Sequence, residues 1–418
     1  MAANRRDEAG LRSETVRRAN LSAIAQELHI AGPLSRSELG LRTGLTRSTI
    51  RALTGEFAAA GLVTEADTVP RGTPGRPSSL VAPYSSSVVA VGLEIAVDSL
   101  AAAVVGFGGE VVERVRVDRP RGAASVDDTV FALARLAGSI GAHPAQHRAI
   151  AGIGVAVVGV VRRSDGFVSM APNLGWRDEP LGERLGVALG SAVPIVVANE
   201  ADLGALAEVR RGAARGHRHV VFISGEVGVG GGLIVEGRPL IGVAGYGGEI
   251  GHLPVNPLGK RCQCGSIGCW ETEVGEDALL VRAGRPAAGG REAVQSVLRD
   301  ADAGEPAALV ALNEVGLWLG RGIGAIVNVL NPELFVVGGL LGRVLPRVRR
   351  VVDAELARVA LAASLSVVRV VPAELHEDAP VLGAAELAFE SFLNDPADWL
   401  PSRAADTSRA VPAEMAGA

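Results

Sequence analysis

The sequence predicts an α/β protein in which a winged helix-turn-helix head precedes a larger body of two α/β lobes. Three observations carry this. Two short helices joined by a glycine turn fall within the first 60 residues, strand-like apolar runs alternate with helical segments beyond residue 88, and the chain is long. Its 418 residues and 42.8 kDa hold two or three domains at roughly 100–200 residues each. Hydrophobic residues make up 48% and aromatics only 3%, so Val, Leu, Ile and Ala must fill the core. The 54 glycines follow no triplet period, which excludes a collagen.

The head reads in order. Residues 13–30 form a helix, with Leu21, Ile24, Ala25 and Leu28 on one face, broken at Gly32-Pro33. Ser35-Arg36-Ser37-Glu38 is a capping box opening a short helix that stops at Gly44. Thr46 caps a third helix, with Ile50, Leu53 and Phe57 on one face, closed by Gly61. A strand over Leu62–Glu65, a Gly/Pro loop carrying Arg71 and Arg76, and a strand over Ser79–Ala82 make a wing. A plain three-helix bundle with a hairpin would share this outline. The polar cluster Thr46, Arg47, Ser48, Thr49 and Arg51 at the start of the third helix, where base edges are read, points to double-stranded DNA. Arg36 and the wing arginines suit its backbone and minor groove.

Pro83-Tyr84-Ser85-Ser86-Ser87 links head to body. Strands follow at Val88–Leu93, Val111–Val117, Ile150–Val161, Ile195–Val197, Val220–Ser224 and Leu334–Val337. The expected division is a head over 1–83, a smaller lobe over 84–200 completed by 381–395, and a larger lobe over 201–380. The tail 396–418, Ala/Pro-rich and aperiodic, is expected to be disordered.

Charge is uneven. Residues 1–82 carry 11 Arg against 8 Asp and Glu, and the remainder 30 basic against 38 acidic. A basic head on an acidic body suits a polyanion at the head alone. Lys260 is the only lysine and Arg261 follows it, which excludes a GK[ST] phosphate loop. The longest apolar run, Ala149 to Val161, is too short to cross a bilayer, and no apolar segment follows Arg5-Arg6-Asp7-Glu8. A cytoplasmic protein without membrane contact is expected.

All three cysteines lie in Cys262-Gln-Cys264-Gly-Ser-Ile-Gly-Cys269, with His252 ten positions before the first. Three thiolates and one imidazole complete a tetrahedral zinc site and leave no open position, so the metal is structural. A redox pair is the competing reading, but C-x-C is poor thioredoxin chemistry. Glu249 precedes His252 by three and Glu271 follows Cys269 by two. The loop therefore gathers two carboxylates beside an imidazole, suited to sugar hydroxyls, which need both donors and acceptors. An exposed ion-pair role for either glutamate stays open.

Gly248-Glu249-Ile250-Gly251-His252 followed by Cys262 to Cys269, Trp270 and Glu271 resembles the signature of the ROK family of sugar kinases and sugar-responsive repressors. Asn199-Glu200-Ala-Asp202 resembles its catalytic segment, Gly228 to Gly232 its second glycine-rich phosphate motif, and Gly324 to Leu341 its stretch near the adenosine site. Ser35–Arg51 with Gly75-Arg76-Pro77 is similar to the head of its repressor branch. The resemblance implies a two-lobed actin/hexokinase-like (RNase H-like) ATPase fold with a sugar in the cleft, held by Glu249, His252 and Glu271 with Asn199 and Glu200. Asn173 either joins them or is a turn residue beside Pro172.

Three departures from the family's kinase pattern stand out. Where kinases have Asp-x-Gly-Gly-Thr this chain has Glu94-Ile95-Ala96-Val97-Asp98, adding bulk and a negative charge beside would-be phosphates. Glu200 holds the catalytic aspartate position, and Val227 replaces the usual threonine. The expectation is a sugar-responsive repressor of carbohydrate uptake or catabolism genes, without catalysis and without ATP. It would bind an inverted-repeat operator as a homodimer or tetramer and respond to a sugar or sugar phosphate. The rival reading is a bifunctional sugar kinase that also binds DNA.

Overall fold

The computed structural model describes residues 2–66, 79–122, 124–140, 149–190 and 193–400. The head begins with a long helix, α1 (Ala2–Ala31), followed by β1 (Leu34–Ser35), α2 (Arg36–Thr43), α3 (Arg47–Ala59), β2 (Val63–Ala66) and β3 (Leu80–Pro83). Both predicted caps form. Ser35 Oγ accepts from the Glu38 N–H at 3.2 Å while Glu38 accepts from the Ser35 N–H at 2.8 Å, and Thr46 Oγ1 accepts from the Thr49 N–H. The wing strands pair antiparallel, with β1 on the far edge of β3. The wing tip, with Arg71 and Arg76, lies outside the described residues.

The body's first sheet uses β4 (Val88–Ile95), β5 (Ser99–Gly106) and β6 (Val111–Asp118) in antiparallel succession. After α4 (Val126–Ser139), β7 (Ala149–Val157) pairs parallel to β4. The apolar run predicted as one strand to Val161 is two: Gly159 adopts φ +109, the chain turns there, and β8 (Val160–Arg162) joins β9 (Phe167–Ala171) and β10 (Trp176–Glu179) in a separate small sheet. Then come α5 (Leu181–Leu189), β11 (Ile195–Asn199) and α6 (Glu200–Arg211), giving a first sheet of order β11-β7-β4-β5-β6.

The second five-stranded sheet, ordered β14-β13-β12-β15-β16, starts with β12 (Val220–Gly225), β13 (Val229–Val235) and β14 (Arg238–Pro239). The metal-loop segment and the helices α7 (Glu271–Val274), α8 (Glu276–Arg282), α9 (Gly290–Asp302) and α10 (Pro306–Leu330) precede β15 (Leu334–Gly338). The chain continues through α11 (Gly339–Val359), α12 (Ala362–Leu365), β16 (Arg369–Pro372), α13 (Ala379–Ala388) and α14 (Glu390–Asn394). Helix α10 is long and apolar enough to cross a membrane, but 61% of its most apolar stretch is buried and it serves as a core helix. Its glycines explain the close fit: a Cβ on Gly316 would stand 2.8 Å from Val348 Cβ, and one on Gly324 2.9 Å from Val359 Cγ1, both on α11.

Helix α13 returns to pack on β4, β7 and α6, so the chain's end completes the first lobe. The head is not loosely tethered. One continuous core joins Leu21, Leu28, Leu39, Ile50 and Phe57 of the head to Val88, Ala103, Phe107, Phe389 and Phe392 of the body. The tail departs from expectation at its start. Pro396–Trp399 form a short 3-10 helix, and Trp399 packs edge-on against Phe392 with ring centroids 5.5 Å apart, because its indole finds an apolar seat there. Residues 401–418 lie outside the described residues.

Candidate functional site

A cleft of about 400 Å³ lies between the lobes. All six residues expected to meet a sugar line it: Asn173, Asn199, Glu200, Glu249, His252 and Glu271. Local structure places each. Glu249 precedes and His252 ends a single 3-10 turn (Ile250–His252), which brings His252 Nε2 to 3.9 Å from Glu249 Oε2. Glu271 opens α7, and its Oε1 stands 3.5 Å from His252 Nδ1. Asn199 caps α6: its Oδ1 accepts from the Ala201 and Asp202 N–H groups and its Nδ2 donates to the Gly159 carbonyl at 2.9 Å. With its amide so engaged, Asn199 fixes the start of α6 and so positions Glu200.

Glu200 projects from that helix start into the cleft. Burial, with Glu249 and Glu94 nearby, pushes its carboxyl up to about 8, and its Oε2 is buried without a hydrogen-bond partner. Asp202, two residues on, is pushed by burial up to about 7. Asp202 lies in the Asn199–Asp202 segment, and spacing alone carries no sign of its burial.

The three cysteines and His252 converge. Their ligand atoms all lie within 4.8 Å of one another, with Cys264 and Cys269 sulfurs 3.6 Å apart and Cys262 Sγ 3.7 Å from His252 Nδ1. A tetrahedral ion with metal–sulfur bonds of about 2.3 Å would set neighbouring sulfurs about 3.8 Å apart, so this donor set fits zinc. Cys262 also lies 2.8 Å from Glu271 Oε1, and burial together with that carboxylate raises its thiol. A bound cation would offset this by favouring the thiolate. The loop is pinned by backbone bridges at Pro254–Cys269 and Arg261–Ile267 and by buried Trp270, whose Nε1 donates to the Trp318 carbonyl at 2.9 Å.

The segment expected to spoil a phosphate cradle is occupied. Asp98 pairs with Arg121 at 3.1 Å and with Arg291 at 3.3 Å, and Arg121 grips Glu276 with contacts of 2.5 and 3.0 Å. Buried Glu94 pairs with Arg116 at 2.9 Å. The network runs from the β4–β5 turn of one lobe to α8 and α9 of the other. The expectation of a bare repelling charge at Asp98 is thus corrected, since two guanidinium groups neutralise it. Partners 155 and 193 residues away leave no trace in local spacing.

At the head, the cap residue Thr46 and Arg47, Ser48 and Arg51 of α3 are exposed, and Thr49 is half-buried. The hydroxyls of Ser48 and Thr49 each lie 2.9 Å from Thr46 Oγ1. Arg36 is not free: its Nη2 donates to Glu65 of β2 at 2.6 and 2.7 Å.

Residues 90–391 match the ROK family. The chain belongs to the ROK family. Among ROK relatives, the xylose repressor of Bacillus subtilis is 27% identical over 386 residues, 91% of this chain and 97% of its own. The glucokinase of Streptomyces coelicolor is 30% identical over 317 residues, 72% of this chain and 97% of its own. Among solved structures, a ROK family transcriptional regulator, homologue of the E. coli MLC protein, aligns with a TM-score of 0.74 at 25% identity, covering 91% of this chain and 97% of its own. The ROK glucokinase of Streptomyces griseus, in complex with glucose and AMPPNP, aligns at 0.61 and 29% identity over 72% of this chain and 98% of its own. This ROK chain thus has the two-lobed, actin-like sugar-kinase fold.

Proposed function

We propose that the protein is a sugar-responsive DNA-binding repressor of carbohydrate uptake or catabolism genes, in which a kinase-like body has become a sensor. The observation that carries this is the head. The Bacillus subtilis xylose repressor matches over 91% of the chain, while the Streptomyces coelicolor glucokinase match stops at 72% although it uses 97% of that enzyme. The extra portion here is a winged helix-turn-helix with an exposed Arg47, Ser48 and Arg51 at the start of its recognition helix. A homodimer would present two such heads to an inverted repeat about one helical turn apart.

The body supplies the effector site. Glu249, His252, Glu271, Asn173 and Glu200 offer donors and acceptors around one cleft, and a structural zinc on His252, Cys262, Cys264 and Cys269 would hold three of them in place. A sugar that favours one lobe arrangement lowers DNA affinity if that arrangement misplaces the heads, by reciprocal linkage. Against phosphoryl transfer stands the ion-pair network through Asp98, Arg121, Arg291 and Glu276. Phosphoryl transfer depends on positioned phosphates and metal, and the residues here are turned towards one another instead.

The test is direct. Genomic sites bound by the purified protein are mapped, and sugars are titrated into the protein–operator complex with and without ATP and Mg²⁺. Release by a sugar, unaffected by ATP, is expected, with no ATP turnover. ATP-dependent phosphorylation of a hexose or pentose would favour the bifunctional kinase.

A further inference from the structure

We propose that Glu200 sets the size of the sugar, closing the cleft to aldohexoses and selecting aldopentoses in the pyranose form. The inference rests on the sensor reading above and adds the ligand class to it. Relatives named for xylose and for glucose both match this chain, so the discrimination must come from its own residues.

The turn into β13 separates two groups of side chains. At one end, a Cβ on Gly228 would lie 3.0 Å from Glu271 Oε2 and 3.6 Å from Asn173 Nδ2. Two residues along, inside the strand, a Cβ on Gly230 would lie 3.4 Å from Glu200 Oε1. The polar groups of Glu271 and Asn173 thus face one end of a bound ring, and Glu200 faces the other.

A kinase base stands beside the hydroxyl that receives the phosphoryl group, because it must accept that proton. For a hexose phosphorylated at its terminal carbon, an aspartate here would meet the exocyclic hydroxymethyl. Glutamate reaches further by one carbon–carbon bond, about 1.5 Å. A Cβ on Gly230 would also meet the Ala201 methyl at 2.9 Å, so the glutamate carboxyl lies where only a glycine leaves room beside β13. The longer side chain thus reaches into the space that the hydroxymethyl would take. Its buried Oε2 has no protein partner, and an unpaired buried oxygen is costly. A pentopyranose has no substituent at that ring carbon, so it leaves room for the longer side chain, and a neighbouring ring hydroxyl can donate to Oε2.

The experiment measures affinity of the full-length protein by calorimetry for three pairs that differ only in the hydroxymethyl: D-xylose and D-glucose, L-arabinose and D-galactose, D-lyxose and D-mannose. In the pair that binds, the pentose should be favoured about 10- to 200-fold, the range for one small group in a fitted pocket. Glu200→Asp should cut that ratio at least tenfold by reopening the space, whereas Glu200→Gln, of equal length, should keep it. Equal affinity within the binding pair, or a ratio unchanged in Glu200→Asp, overturns the size role and leaves the sensor reading standing. Binding of none of the six sugars by wild-type protein overturns the pentose assignment; the sensor reading falls only if no sugar or sugar phosphate releases the operator complex.

Discussion

At position 29 a histidine sits fully buried between the head and the body. The Gly108 N–H donates to its Nδ1 at 3.1 Å, so that nitrogen carries no proton. Nε2–H is then the donor to Glu386 at 3.0 Å. Glu386 is itself held ionised by Arg210 at 3.1 Å and Arg211 at 2.7 Å. Burial keeps the imidazole below its ordinary value of 6.5. Between the native and the ordinary value the unfolded chain binds a proton that native His29 refuses, so stability rises with pH across that window. The contribution is complete above about pH 6.5 and is lost as pH falls, by up to about 1.4 kcal/mol per pH unit. A His29→Gln variant can donate to Glu386 and accept from Gly108 without titrating. Urea midpoints measured from pH 7.5 to 5.5 should fall more steeply for wild type than for the variant, and parallel slopes would refute the neutral buried histidine.

Elements show which parts of the site could be read from the chain. The cap of α2, the cap of α3 and the metal loop were legible because each is local: Ser35 and Glu38 are three residues apart, and the four metal-site residues span only His252 to Cys269. The break at Gly159 was not, because a run of apolar residues looks the same whether it continues or turns into a second sheet. The Arg121–Glu276 grip and the His29–Glu386 contact bridge 155 and 357 residues, and no periodicity encodes them. The metal loop carries its own prediction. Cys264→Ser removes one thiolate from a closed four-ligand set, so stoichiometric zinc should be lost, measured by metal analysis of protein purified without chelator. Because that loop also holds His252 and leads into Glu271, sugar affinity should fall at least tenfold while operator affinity stays within about twofold. Zinc-free wild-type protein that binds sugar normally would contradict the structural role.

On the scale of the whole molecule, the head and the first lobe form one packed unit. Helix α1 is tied to the chain's end by the ion pair of Arg18 with Asp395 and by Ser22 Oγ donating to the Leu393 carbonyl at 2.7 Å. Helix α6 runs from Glu200 in the cleft to Arg210 and Arg211 on Glu386, about 18 Å at helical rise, and so connects that cleft to His29 of the head through Glu386. Phe392 is the keystone of the shared core, edge-on to Phe107 at 5.1 Å and to Trp399 at 5.5 Å. Phe392→Ala leaves a cavity beneath both parts and should cost about 3–5 kcal/mol. The distinguishing readout is hydrogen exchange by segment. If the core is cooperative, amides of α1, α2 and α3 should lose protection together with those of β4 and β5, and operator affinity should weaken at temperatures where the first sheet begins to open. A head that kept its protection while β4 and β5 lost theirs would mean that it folds alone. The sugar signal would then have to reach DNA by a route other than this core.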